Sequence, residues 1–367
     1  KTFQQFIDLP SMDKASQAMM RMLFSEKNLE SSMDVGFKGN PNIGSIVLNQ
    51  IVDSNDFQDF ANNFESGDKV FIISSIFGGT GASGFPLLLK TLRTGTNFRN
   101  NDLINHAEIG AITILPYFKL KNDDESEIDS STFISKTKSA LAYYENNISK
   151  NNSIDALYFL ADDVTNTYEN HEGGSAQQND AHLVEFLAAT AIVDFSNKQH
   201  TNTSNKELGL KDFTGSVTFD SFYDKQKRLL YAPLTEFMMM ANCLNHKFDY
   251  YSSKEFNANN DNFSGLYGSS FMSELQNLTG SFIEWLGEMK KNKRSLDLFN
   301  LNTKDKPFEV VTGIKPKRIV ILKSDYDLVT DRLNSAVKKC HSKENNDKFL
   351  EMFYLGMTKL FNEKFNV

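Results

Sequence analysis

Residues 12–24 (Met12 to Phe24) carry apolar side chains at helical spacing and predict a helix. Further helices are expected at about 43–52, 57–64, 85–94 and 132–147. Between them lie short, nearly unbroken apolar runs at 69–76, at 108–115 (closed by Pro116) and at 154–161. Runs of that length, bounded by turn residues and alternating with helices, predict strands of a parallel sheet covered on both faces. A polar stretch with Gly173-Gly174 precedes a long helix at about 179–195, and the polar residues 196–209 read as a loop. From Leu210 the pattern changes to a strand at 215–222, helices at 233–248 and 269–290, strands at 308–312 and 317–323, and helices at 326–340 and 346–364. The expected fold class is α/β: a first domain over 1–178, a central helix and connecting loop over 179–209, and a second, mixed α/β domain over 210–367.

Two glycine-rich segments interrupt this alternation. Residues 36–44 read Gly-Phe-Lys-Gly-Asn-Pro-Asn-Ile-Gly, and residues 77–86 read Phe-Gly-Gly-Thr-Gly-Ala-Ser-Gly-Phe-Pro, directly after the 69–76 run. A strand that ends in a Gly-Thr-Gly loop and reopens as a helix is suited to cradle a phosphate. Glycine lets the backbone approach an anion, and a helix N-terminus offers free N–H groups and the positive end of a dipole. The same residues have plainer uses: Asn40 before Pro41 is ordinary turn chemistry, and Gly-Gly-Thr-Gly alone is a common turn.

Composition narrows the function classes. Hydrophobic residues at 40% and charged residues at 23% are ordinary for a globular chain of 367 residues. A net charge of −8 argues against a nucleic-acid surface, which needs clustered Lys and Arg. Cys243 and Cys340 lack metal-type spacing and fit core positions in a reducing, cytoplasmic setting. No apolar run reaches the length of a membrane span, and the first residues do not form a secretory signal. The six histidines show no metal spacing, so no metal-ligating residues are assigned. Asp162-Asp163 and Asp123-Asp124-Glu125 read as solvated acidic faces, and Met238-Met239-Met240 as the core side of a helix.

Taken together, the two loops resemble those of the tubulin/FtsZ superfamily of GTP-binding proteins. Gly39-Asn40-Pro41-Asn42-Ile43-Gly44 matches the family's Asn-Pro loop, and Val70 to Pro86 matches its strand and Gly-Thr-Gly loop without a gap. Leu115-Pro116-Tyr117-Phe118 is similar to the strand that ends near the ribose, and Asn179-Asp180 to the pair that opens the central helix. The likeness spans roughly residues 34–222. It implies a tubulin/FtsZ-like nucleotide-binding domain, with Gly78, Gly79, Thr80 and Gly81 at the terminal phosphates, Gly39 and Asn40 on the γ-phosphate side, and Asn179 at the guanine. GTP or GDP with Mg²⁺ and head-to-tail self-association into filaments follow from the same likeness.

Departures from the pattern matter as much. The family's first strand and first glycine-rich loop have no counterpart here and by order belong upstream of residue 1. Phe77 replaces the first of three glycines, and Ala82-Ser83 replaces Thr-Gly. The acidic loop that completes hydrolysis on a neighbouring subunit is matched by residues 210–215, Leu-Lys-Asp-Phe-Thr-Gly, which keep Asp212 but put Leu210 and Gly215 where the pattern has Asn and Asp. Loss of such a carboxylate leaves at most a slow GTPase. A nucleotide-gated scaffold or partner-binding module that forms no filaments is therefore a second expectation. A dinucleotide-dependent oxidoreductase ranks low, because no Gly-x-Gly-x-x-Gly is followed by an acidic residue about twenty positions on.

Overall fold

The computed structural model describes residues 1–121, 130–164, 166–171, 180–197, 204–207, 210–211, 215–252, 263–303, 306–317 and 324–365. The chain divides into two compact units, one of Lys1–Asn179 with Val184–Leu208, the other of Asp180–Leu183 with Gly209–Val367.

The first unit opens with helices α1 (Phe3–Phe6), α2 (Lys14–Leu23) and α3 (Glu26–Glu30). They close around a small core of Phe3, Leu9, Met20, Phe24, Leu29, Phe37 and Ile43. Asp13 starts α2 by accepting the N–H groups of Ala15 and Ser16 at 2.9 and 3.1 Å. Helix α4 (Pro41–Val47) runs into a 3₁₀ segment, Leu48–Asp53, and α5 (Asn55–Asn63) follows. Strand and helix then alternate through β1 (Val70–Ser75), α6 (Thr80–Thr94), α7 (Asn101–Asn105), β2 (Ile109–Ile114), β3 (Phe118–Leu120), α8 (Phe133–Tyr144), β4 (Ala156–Leu160), β5 (Asn166–Tyr168), α9 (Leu183–Ser196) and β6 (Ser204–Glu207).

Four of the strands form a parallel sheet in the order β1-β2-β4-β6, with Val70 beside Ile109, Gly110 beside Ala156 and Ala156 beside Ser204. Strands β3 and β5 form a separate parallel pair. On one face of the larger sheet, Ile72, Ile76, Ile109, Ala111 and Leu157 share a core with Phe57, Phe85, Leu89 and Tyr144 from the covering helices. On the other face Phe195 of α9 lies 5.3 Å from Phe71, and a Cβ added to Gly110 would come within 2.8 Å of both rings. Tyr158 donates to Asp194 of the same helix at 2.8 Å. Cover on both faces explains why β2 and β4 read as unbroken apolar runs, whereas the edge strand β1 leaves Ile73 exposed.

The second unit contains α10 (Asp224–His246), α11 (Phe248–Ser252), α12 (Ser270–Lys291), α13 (Asp325–Val337) and α14 (Asn345–Lys364). Met238, Met239 and Cys243 are buried in its core, as the sequence pattern implies. The Cys243 thiol is pushed up to about 12 by burial.

The structure corrects several expectations. Residues 204–207, read as loop, form β6, because backbone pairing needs no apolar side chains once an edge is offered. Helix α6 begins at Thr80 instead of 85, and α10 begins at Asp224 and carries Pro233 inside. Neither 215–222 nor 308–312 is a strand. The apolar alternation of the first buries Val217, Phe219 and Phe222 through a 3₁₀ turn and isolated bridges from Val217 to Leu296 and from Leu210 to Phe222. In the second, Phe308, Val310 and Val311 are buried along turns with one bridge to Phe299. The strand expected at 317–323 falls almost wholly outside the described residues. Among the described residues the second unit is thus helical with isolated bridges, not a mixed α/β sheet. The protein as a whole is mixed α/β with small parallel sheets.

Candidate phosphate-binding site

Strand β1 ends at Ser75, and the chain turns through Ile76 to Gly79 before α6 begins. Phe77 is buried, its ring 4.9 Å from Phe133 and 5.7 Å from Phe118, so it pins the base of the loop to the core. Gly79 is the N-cap residue and has no side chain to cap with (φ −77°, ψ −55°). The first-turn N–H groups of Thr80, Gly81 and Ala82 therefore have no acceptor within the helix. The Thr80 side chain stands at an exposed position.

The Asn-Pro loop is wound through positive φ at Gly36, Lys38 and Gly39 (77°, 45° and 73°). It then starts α4 with Pro at the first helical position. Asn40 donates its N–H to the Phe37 carbonyl at 2.8 Å. Its Oδ1 accepts from Asn42 and Ile43 at 3.2 and 3.4 Å, capping the helix. The turn-and-cap role is therefore the one in place, and only the Nδ2 amide of Asn40 remains for a ligand. Lys136 of α8 donates its ammonium to the Gly39 carbonyl at 2.8 Å.

The fold brings the two glycine loops together. A Cβ on Gly36 would lie 3.2 Å from Thr80 Oγ1, one on Gly79 would lie 2.9 Å from the Asn40 nitrogen, and one on Gly44 would lie 2.2 Å from Ser83 Oγ. Gly81 meets its own strand, its Cβ position falling 2.5 Å from the Ser75 carbonyl oxygen. Gly36, Gly39, Gly78, Gly79, Thr80 and Gly81 thus belong to one junction, where the glycines permit close backbone packing. The uncapped amides of α6, the dipole behind them and the nearby Lys136 ammonium make this junction suited to an anion.

Two features escape sequence reasoning. Lys136 lies nearly a hundred positions from the carbonyl it holds, and no local pattern signals the contact. Ser74 and Thr113 are paired across β1 and β2, 8% and 0% exposed, and their hydroxyls meet no protein partner. Polar residues inside apolar strands were the available signal. Asn179 and Asp212 lie outside the described residues. Tyr117 is half-buried, and burial, with the Glu185 carboxylate second, pushes its hydroxyl up to about 12. Among the described residues no cluster of three or more His, Cys, Asp or Glu side chains can hold a metal ion, and no helix is long and apolar enough to cross a membrane. Comparison with protein-family models, curated proteins and solved structures found no match to this chain.

Proposed function

We propose that this chain is a tubulin/FtsZ-like protein that binds GTP or GDP, with Mg²⁺ accompanying the phosphates, where the Asn-Pro loop meets the start of α6. The reading rests on one observation: two glycine loops pack against each other at an uncapped helix N-terminus that follows a parallel strand. The terminal phosphates would take the amides of Gly78, Gly79, Thr80 and Gly81 and the Thr80 hydroxyl. Gly39 and the Asn40 amide would form the opposite wall, with Lys136 holding Gly39 in place. Guanine recognition by Asn179, a role for Asp212 on a neighbouring subunit's nucleotide, slow hydrolysis and head-to-tail filaments rest on the resemblance alone.

Leu210 and Gly215, standing where the family pattern is polar and acidic, favour the second reading of a nucleotide-gated scaffold without filaments.

Mass spectrometry of the compounds released when the full-length protein is denatured is the direct test, together with melting in the presence of GTP or ATP. A bound nucleotide at about a hundred times its Kd stabilises by about 2.7 kcal/mol. A purine nucleotide in the released fraction, and a GTP-dependent rise in melting temperature lost in Gly79→Val, are the expected results. Release of no purine, with a melting temperature indifferent to both nucleotides, would end the proposal. Electron microscopy with GTP and a slowly hydrolysed analogue separates filament from scaffold.

A further inference from the structure

We propose that the trench bounded by α4, α6 and α8 is a binding site for a small organic anion with an apolar body, such as an aryl sulfonate, carboxylate or phosphate ester. The trench encloses about 970 Å³, within the range of pockets that take drug-sized ligands. Ala82, Pro86, Leu87 and Ala140, all part-exposed, give it an apolar floor, and the exposed Tyr143 an aromatic wall. Such a body would be held by burial against that floor.

Charge complementarity sets the head group. The chain carries 47 Asp and Glu against 39 Lys and Arg, yet none of the lining residues is acidic, while Lys90, Arg93 and Lys136 all line the trench. Arg93 is spent on the Asp155 carboxylate at 2.7 Å and on carbonyls of Ser153, Asn105 and Ala107. Lys90, at an exposed position, is therefore the cation placed to meet a ligand from the rim, with Lys136 at the far end.

The trench is also held open. Lys136 near the start of α8 ties to Gly39, Tyr144 ties to the Ala82 carbonyl at 3.4 Å, and Arg93 near the end of α6 ties to Ser153 beyond α8. These ties fix α8 against the Asn-Pro loop and α6, and α6 against the chain beyond α8, so a ligand does not have to open the site. The proposal does not rest on the nucleotide reading: Gly78 and Lys136 line both sites, but Lys90 and Ser139, which carry the test, belong to the trench alone.

The test titrates the intact chain with the fluorescent probe anilinonaphthalene sulfonate and with phenylnaphthylamine, which has the same rings without the sulfonate. The expected result is saturable binding of the sulfonate, one per chain, at least about tenfold tighter than the neutral probe. Lys90→Glu should weaken the sulfonate about tenfold and leave the neutral probe unchanged, and Ser139→Trp, an exposed lining position, should remove both. Equal affinity for the two probes, or sulfonate binding untouched by either variant, would overturn the proposal. Should Ser139→Trp lose the native melting transition, Ser135→Trp on the same rim replaces it.

Discussion

Tyr144 donates its hydroxyl to the Ala82 carbonyl at 3.4 Å, and that carbonyl is the one Pro86 leaves without a helical N–H. Proline inside α6 would otherwise cost a part-buried acceptor its partner. Here the neighbouring helix supplies the donor, and burial pushes the Tyr144 hydroxyl well above the usual tyrosine range so that it stays protonated.

The relationship is testable as a double-mutant cycle. Tyr144→Phe should cost about 1 kcal/mol or more in urea unfolding, since it strands a carbonyl. In a Pro86→Ala background the restored helical N–H takes over, and the same change should cost clearly less. Equal costs in both backgrounds would show that the carbonyl is not what Tyr144 serves.

Gly81 is fixed by sterics. An added Cβ would stand 2.5 Å from the Ser75 carbonyl oxygen and 2.9 Å from its nitrogen, both main-chain atoms. Gly81→Ala should therefore destabilise by about 2–3 kcal/mol, because the strand-to-helix junction has to move. Gly265, whose Cβ position is open and whose φ is not positive, provides the control, and Gly265→Ala should stay within about 0.5 kcal/mol. Chemical denaturation of the two variants checks both.

Arg93 ties α6 to β2 and to the chain leading into β4. Its guanidinium reaches three carbonyls and Asp155, and Asp155 Oδ2 also accepts the Ile109 N–H at 2.7 Å. Arg93→Met removes the cation, leaving the carbonyls unanswered and the part-buried carboxylate with only the Ile109 N–H, at an expected cost of about 2–4 kcal/mol. Arg93→Lys should recover only part of this, since an ammonium cannot span the same fork. Thermal melts of the three proteins decide the order.

Glu351 should shape the acid limb of stability. The Ser342 hydroxyl first, then the N–H groups of His341 and Ser342, hold its carboxyl down at about 2. A carboxylate depressed in the folded state contributes stability that is complete above its unfolded value near 4.5 and is lost as pH falls toward 2. Glu351→Gln should therefore lose stability at neutral pH and show a flatter decline between pH 4.5 and 2. Melting temperatures across that window supply the measurement, and parallel curves for the two proteins would rule the contribution out.

Much of the first unit was legible because its local signals agree. The runs at Ile109–Ile114 and Ala156–Leu160 are strands covered on both faces, and covered strands leave an unbroken apolar trace; the edge strand Val70–Ser75 leaves the same trace although Ile73 is exposed. Strand β6 left no trace, since Ser204–Glu207 joins through its backbone. At 215–222 and 308–312 the alternation was real but reported burial alone. Val217 and Val311 reach their partners by single bridges, and alternation does not distinguish a ladder from a turn that buries every second residue.

The candidate site divides the same way. Gly-Thr-Gly after an apolar strand, and Asn-Pro at a helix start, are local patterns, so the residues of both loops could be named from the chain alone. That Gly79 lies against Asn40, that Lys136 holds Gly39, and that Tyr144 answers the carbonyl left by Pro86 depended on segments far apart in the chain. Sequence by itself determined which backbone stretches could be strands, helices and glycine turns, because those choices rest on φ/ψ preference and hydrophobic period over a few neighbours. Only the tertiary structure decided which carbonyl met which donor and where a Cβ had no room, because those outcomes depend on distances that chain separation does not encode.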